Sequence, residues 1–116
     1  MKDDRVYLDH ILERIRRVVD YTQDGRDDFM ASPLIQDAVI RSFEVIGEAA
    51  KRISQDLRAA YPTIPWRRLA GFRDVLIHNY ADVNLALVWN VIATDLLALL
   101  PQLERIRESL DLPEVT

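Results

Sequence analysis

The amino-acid sequence predicts an all-α fold, an antiparallel bundle of four or five helices. Two observations carry that reading. Apolar residues recur at i, i+3, i+4 and i+7 over most of the 116 residues, and no stretch alternates apolar with polar as a half-buried strand would. Only three glycines and five prolines occur, too few for a loop-rich chain. At this length we expect a single domain spanning 1–116.

The first helix is predicted over about residues 4 to 21. Leu8, Ile11, Leu12, Ile15, Val18 and Val19 form its apolar stripe, and Asp3 and Asp4 place negative charge at its first turn. The polar cluster Thr22-Gln23-Asp24-Gly25 ends it. Arg26 to Ala31 is long enough for one short turn. Ser32 then caps a second helix with Pro33 at its first position, where a missing N–H costs nothing. Leu34, Ile35, Ala38, Val39, Phe43, Ile46, Ala49, Ala50 and Ile53 give this helix a wide apolar face, interrupted by Gly47. A glycine at that place is read as permitting close helix packing.

Ser54 to Tyr61 is predicted as a short helix ended by Pro62. A third long helix should start at Pro65 and run into the stretch 73–80, with Trp66, Leu69, Phe72, Leu76 and Ile77 on its buried side. Asp82 is expected to cap a fourth, carrying Leu85, Val88, Trp89, Ile92, Leu96 and Leu99. Pro101 should kink or break that helix and leave Gln102 to Leu110 as a last segment. The second and fourth helices carry more apolar surface than one neighbour needs, so a homodimer is expected.

Composition bounds the chemistry. The absence of cysteine excludes disulfides, a thiolate nucleophile and a zinc–thiolate site. The N-terminal Met1-Lys2-Asp3-Asp4-Arg5 lacks the apolar segment of a secretory signal, and the run Leu85 to Leu100 reads as too short and too polar to span a membrane. A cytoplasmic protein with no membrane association is expected. The net charge of −4 is unevenly spread. Residues 51–73 hold Lys51, Arg52, Arg58, Arg67, Arg68 and Arg73 against Asp56 alone, whereas both flanking parts are acidic. Such asymmetry suggests an anion-binding surface on an acidic body, the alternative being a solvated charge run that happens to be basic.

That basic block leads into Arg73-Asp74-Val75-Leu76-Ile77-His78-Asn79-Tyr80, which holds one of the two histidines. The residue types suit RNA cleavage without a metal. That reaction needs a group to take the 2′-OH proton, a donor for the leaving oxygen, and a cation on the phosphorane-like charge. Histidine titrates near neutral pH, and arginine offers phosphate a planar fork of donors. On a regular helix Arg73 and His78 lie about 140° apart, so they share a site only where the helix loosens or two chains meet. Asp74 and His78 are i, i+4 neighbours, and the carboxylate can orient the imidazole. One chain supplies one such histidine, and a two-fold site would supply two. His10, among Asp9 and Glu13, is read as a surface residue. Glu44 and Glu48 are read as part of a solvated or salt-bridged face.

The order Arg73, four residues, His78, one residue, Tyr80 resembles the R-x-x-x-x-H-x-Y signature of HepT-like toxins in the HEPN superfamily. Ala38-Val39-Ile40-Arg41 with Ile46-Gly47-Glu48-Ala49-Ala50-Lys51-Arg52 is similar to that family's second helix. Ile64-Pro65-Trp66, Val88-Trp89 and Asp95-Leu96 are similar to its flanking pattern, so the likeness runs over nearly the whole chain. The resemblance implies an HEPN-like helical homodimer in which two motif copies meet in a cleft and cleave RNA without metal or cofactor. It makes Arg73 and His78 the catalytic pair, with Asp74 and Asn79 in support. Asp74 stands where asparagine is common in HEPN proteins. The resemblance also implies a toxin of a type VII-like toxin–antitoxin pair, neutralised when an MntA nucleotidyltransferase transfers AMP from ATP onto Tyr80. Lys51, Arg67 and Arg68 are the candidates for RNA-backbone contacts. The alternative is a non-catalytic helical partner that binds a nucleotidyltransferase and uses the motif as a docking or modification site. The chain itself lacks the Gly-Ser and paired-aspartate arrangement of a nucleotidyltransferase.

Overall fold

A helix becomes stable in water by burying one face, and the apolar stripes of the first two long helices are buried against each other. The computed structural model describes residues 3–77 and 83–112, with the side chains of 75–77 outside that description. All regular structure among them is helical.

Helix α1 spans Asp4–Tyr21, and Asp3 caps it by accepting from the Arg5 backbone N–H at 3.0 Å. Tyr7, Leu8, Ile11, Leu12, Ile15 and Val18 are buried, so the predicted stripe is the core face. Thr22 closes the helix through its hydroxyl on the Val18 carbonyl. Gly25 turns the chain at φ +95°, a conformation that strains any residue with a Cβ, and α2 follows as Arg26–Ala31. It buries Phe29 against Trp89.

Helix α3 runs Pro33–Arg52, with Ser32 accepting from the Ile35 N–H at 3.2 Å and Pro33 in the first turn, as expected. It packs along α1 more extensively than any other pair of elements. Leu34 departs from the predicted apolar face and is 80% exposed. It sits in the first turn, ahead of the buried run that begins at Val39.

Helix α4 is Gln55–Ala60, capped by Ser54. Asp4 holds that cap from across the bundle, accepting from the Ser54 N–H at 2.8 Å and its hydroxyl at 2.6 Å. The first turn of α1 and the start of α4 are therefore fastened together.

The expected third long helix is interrupted at Gly71, which divides it into α5 (Trp66–Ala70) and α6, described over Phe72–Ile77. The Gly71 N–H is shared between the Arg67 and Arg68 carbonyls, and the Asp74 N–H reaches back to the Gly71 carbonyl at 2.9 Å. The bonds from Gly71 to Arg68 and from Asp74 to Gly71 are three-residue closures, and the α-helical ladder is interrupted at Gly71.

The last helix, α7, is continuous over 25 residues, Leu85–Ser109, and is capped by Asn84, whose side chain accepts from the Leu87 N–H. Asp82, the expected cap, lies outside the described residues. Pro101 does not end the helix. Proline there deprives the Leu97 carbonyl of its donor, but Leu97 and Pro101 are on the solvent face, where water can take that role. Val91–Leu96, just upstream, is wound as a π-helix. Because the helix continues, it is long and apolar enough by length and composition to cross a membrane, contrary to the expectation from the shorter run. Its buried stripe (Val88, Val91, Ile92, Leu96, Leu99, Leu103, Ile106) is part of the bundle core. Leu87 and Leu97 on its other face are exposed.

Candidate functional site

The basic block and the start of the octapeptide are carried by α5 and α6, and both elements are anchored before any functional side chain leaves them. Trp66 is buried and donates its indole N–H to the Tyr61 carbonyl at 3.0 Å, which fixes the start of α5. Phe72 is buried at the start of α6 and stacks on Phe43 of α3, ring centroids 5.2 Å apart. Arg73 follows it directly and lies at the edge of the core.

Gly47 sets how closely these pieces approach. A Cβ at Gly47 would lie 3.2 Å from the Ala70 carbonyl oxygen and 3.3 Å from both the Arg73 N and Cβ. Those contacts are tighter than a methyl group normally accepts, and two of the three involve backbone atoms. Gly47 therefore does what the sequence predicts of it, and the backbone it admits is that of Arg73. The next residue, Glu48, receives the Arg73 guanidinium: Nη1 donates to Glu48 Oε1 at 2.6 Å. Both side chains are a little under half exposed, so the pair sits at the mouth of the α3–α6 packing. Glu48 is thus salt-bridged, as the sequence reading has it, and its partner is the candidate catalytic arginine. Twenty-five residues separate the two, and no helical spacing rule links them.

The remaining basic residues divide into two groups. Arg58 is structural, because its guanidinium donates to the Ala50 and Lys51 carbonyls at the end of α3, where orphan acceptors collect. Arg68 pairs with Asp95 in the π-helical turn of α7 at 2.6 Å while staying largely exposed itself. This pair borders a cavity of about 190 Å³ lined also by Thr63, Phe72, Thr94 and Gln102. Lys51, Arg52 and Arg67 are exposed, and no ion pair to them is found among the described residues. Of the three candidates for backbone contacts, Lys51 and Arg67 present open charge and Arg68 is engaged. Glu44 pairs with Arg41, and His10 is a surface residue beside the edge of Tyr7.

Asp74 is exposed on α6. His78, Asn79 and Tyr80 lie outside the described residues, as do the side chains of Leu76 and Ile77. The structure thus positions Arg73 and Asp74 and gives no geometry for the histidine or the tyrosine. Within the described residues α6 carries the motif from Arg73 to Ile77.

With this geometry in hand, comparison with known proteins is specific. Residues 11–108 match the family model described as ribonuclease HepT-like. The chain is 45% identical, over 95% of its length, to a Methanocaldococcus jannaschii protein named as a gamma-glutamylcyclotransferase and candidate RNase, of which the match covers 50%. It is 38% identical to the probable ribonuclease HepT of Thermococcus cleftensis, over 88% of this chain and 94% of that protein. A candidate RNase of Caldanaerobacter subterraneus is 36% identical over 90% of this chain and 91% of its own length. The chain therefore spans half the length of the first of these relatives and nearly the whole of the other two. No solved structure matches.

Proposed function

Since the chain belongs to the ribonuclease HepT-like family, within the HEPN superfamily, we propose that it is an RNA endonuclease acting as a toxin. The observation that carries this reading is the seating of Arg73. Its backbone is packed against Gly47 and its guanidinium is held at 2.6 Å by Glu48, at the head of the helix that leads to His78. A guanidinium fixed at a half-open surface, on a chain that also exposes the cations Lys51 and Arg67, suits a phosphodiester. It offers a planar fork of N–H donors.

In this reading the reaction is an internal transesterification. His78 takes the proton of a ribose 2′-OH, and the oxygen attacks the adjacent phosphorus. The bond to the 5′-oxygen breaks, and that oxygen leaves with a proton supplied by the histidine of a second chain. Arg73 bears on the non-bridging oxygens as negative charge gathers there. The arginine fills the electrostatic role that a metal fills in other nucleases, which is the ground for proposing a metal-independent enzyme. The products are a 2′,3′-cyclic phosphate and a free 5′-OH. Asp74 and Asn79 support the pair, and Lys51, Arg67 and Arg68 follow the RNA backbone.

The composite site requires a homodimer, and the exposed apolar residues Leu34, Leu87 and Leu97 support one. The partner antitoxin is a nucleotidyltransferase of the MntA type, working in the cytoplasm with the toxin. Adding AMP to Tyr80 would place bulk and negative charge beside the phosphate site and repel RNA. The test is cleavage of an end-labelled RNA in EDTA by the purified wild-type and His78→Ala chains. Wild-type cleavage leaving a cyclic phosphate, lost in the variant, is expected. Undiminished cleavage by His78→Ala, or none by the unmodified wild type on any RNA, refutes the proposal.

A further inference from the structure

We infer that Glu48 is the positioning residue for Arg73, fixing the rotamer in which the guanidinium meets the scissile phosphate. This inference rests on the ribonuclease reading and adds a residue to the machinery.

Three observations converge on it. The Arg73 side chain is long and nearly half exposed, so left alone it would sample many rotamers and lose side-chain entropy on being fixed. Its backbone is not free in the same way. Phe72 stacked on Phe43 fixes α6 from one side, and Gly47 lets the Arg73 N and Cβ sit against α3. Glu48, the residue after that glycine, then takes Nη1 at 2.6 Å. Backbone seat and side-chain partner thus come from two consecutive residues of one helix, so the same packing contact sets both ends of the arginine.

The sign of the charge argues in the same direction. A carboxylate at the mouth of a phosphate site weakens the local positive field and opposes the approach of RNA. As a contributor to affinity Glu48 would be a liability. As an orienter it works because a guanidinium has several N–H donors, and a carboxylate on one nitrogen leaves others for phosphate. A bidentate grip on a transition-state phosphate needs the fork held in one plane, and a misplacement of about 1 Å can cost about 100-fold in rate.

The two roles separate kinetically. An orienting carboxylate acts on kcat, and its removal should leave KM for RNA unchanged or lower. The expected result for Glu48→Ala is a loss of about tenfold to 100-fold in kcat without a rise in KM. Glu48→Gln keeps an oxygen acceptor at the same reach and should recover kcat to within about threefold of wild type. A second readout does not depend on RNA cleavage. In homodimer labelled with ¹⁵N-arginine, the Arg73 Nε–Hε resonance, assigned by its absence in Arg73→Ala, should be resolved in the wild type and in Glu48→Gln. In Glu48→Ala it should shift to the random-coil position. Unaltered kcat in Glu48→Ala, a rise in KM as its main effect, or an Arg73 resonance indifferent to Glu48 overturns the inference. If the wild type cleaves no RNA, the ribonuclease reading fails by itself, and the Arg73 resonance still decides whether Glu48 positions the arginine.

Discussion

Gly47→Ala tests the packing on which the site depends, because the two consequences of adding a methyl group there have opposite signs. In the interior of a 20-residue helix, replacing glycine with alanine stabilises by about 1 kcal/mol through backbone entropy. Against this, the new Cβ would meet the Ala70 carbonyl oxygen at 3.2 Å and the Arg73 N and Cβ at 3.3 Å. These atoms belong to the backbone and first carbon of helices that are themselves anchored by Trp66 and Phe72. They cannot swing aside as a side-chain tip would, and overpacking of this kind typically costs about 1–3 kcal/mol. The net expectation is a loss of about 1 kcal/mol, seen as a fall of about 4 °C in Tm. The two other glycines serve as controls. At Gly71 the nearest atoms to a Cβ are carbonyl oxygens at 3.4 and 3.5 Å, and φ is −81°, so alanine should be neutral or slightly stabilising. At Gly25 nothing lies within 4 Å, but φ is +95°, so alanine should destabilise by about 1–3 kcal/mol through strain alone. Thermal melts of the three variants followed by circular dichroism would settle the matter. A rise in Tm for Gly47→Ala comparable to that of an ordinary helical glycine would refute the close approach. Because the shift falls on Arg73, RNA cleavage by Gly47→Ala should drop by far more than the small unfolded fraction accounts for.

Two further predictions concern charge. Arg107 on α7 grips Asp9 of α1 at 2.7 Å and Asp111 at 2.8 Å, and its hydrogen bond to Asp111 holds that carboxyl below the usual carboxylate range. A carboxyl depressed in the folded state stabilises above its unfolded pKa, and that stability is lost as pH falls through the folded value. The Tm difference between wild type and Arg107→Gln should therefore be full at pH 7 and shrink below about pH 4. A difference independent of pH would contradict this reading. For RNA binding, Arg67→Ala should lower the slope of log affinity against log salt by about one contact, since Arg67 is exposed. Arg68→Ala should lower it less, because Arg68 is already paired with Asp95. Equal slopes for wild type and Arg67→Ala in a fluorescence titration would remove Arg67 from the interface.

Much of the fold was legible because local rules decide it. The stripe of α1, the Ser32-Pro33 start of α3 and the capping serine of α4 each follow from spacing or from a single side chain acting within one turn. The misreadings share a different cause. Whether the helix breaks at Gly71 depends on carbonyls competing for one N–H, and proline at position 101 is tolerated because its turn faces solvent. Neither condition is written in the identity of the residue. Leu34 falls on the periodic apolar face yet is exposed, because periodicity does not encode where along a helix the neighbour begins. In the site, the residue types of the basic block indicated anion binding, but not which cations were already engaged. Arg58 and Arg68 look like Arg67 in the sequence and differ only in what lies across from them. The pairing of Glu48 with Arg73 was out of reach for the same reason, although Gly47 beside it was the one available signal that something approaches α3 there.

The most direct measurement is the initial rate of RNA cleavage in EDTA by the wild-type protein, Arg73→Ala and Arg73→Lys. A guanidinium that bears on the reacting phosphate by its planar fork predicts a loss of about 100-fold or more in Arg73→Ala and only partial recovery with lysine, which keeps the charge but not the fork. Wild-type rates in Arg73→Ala would contradict the account.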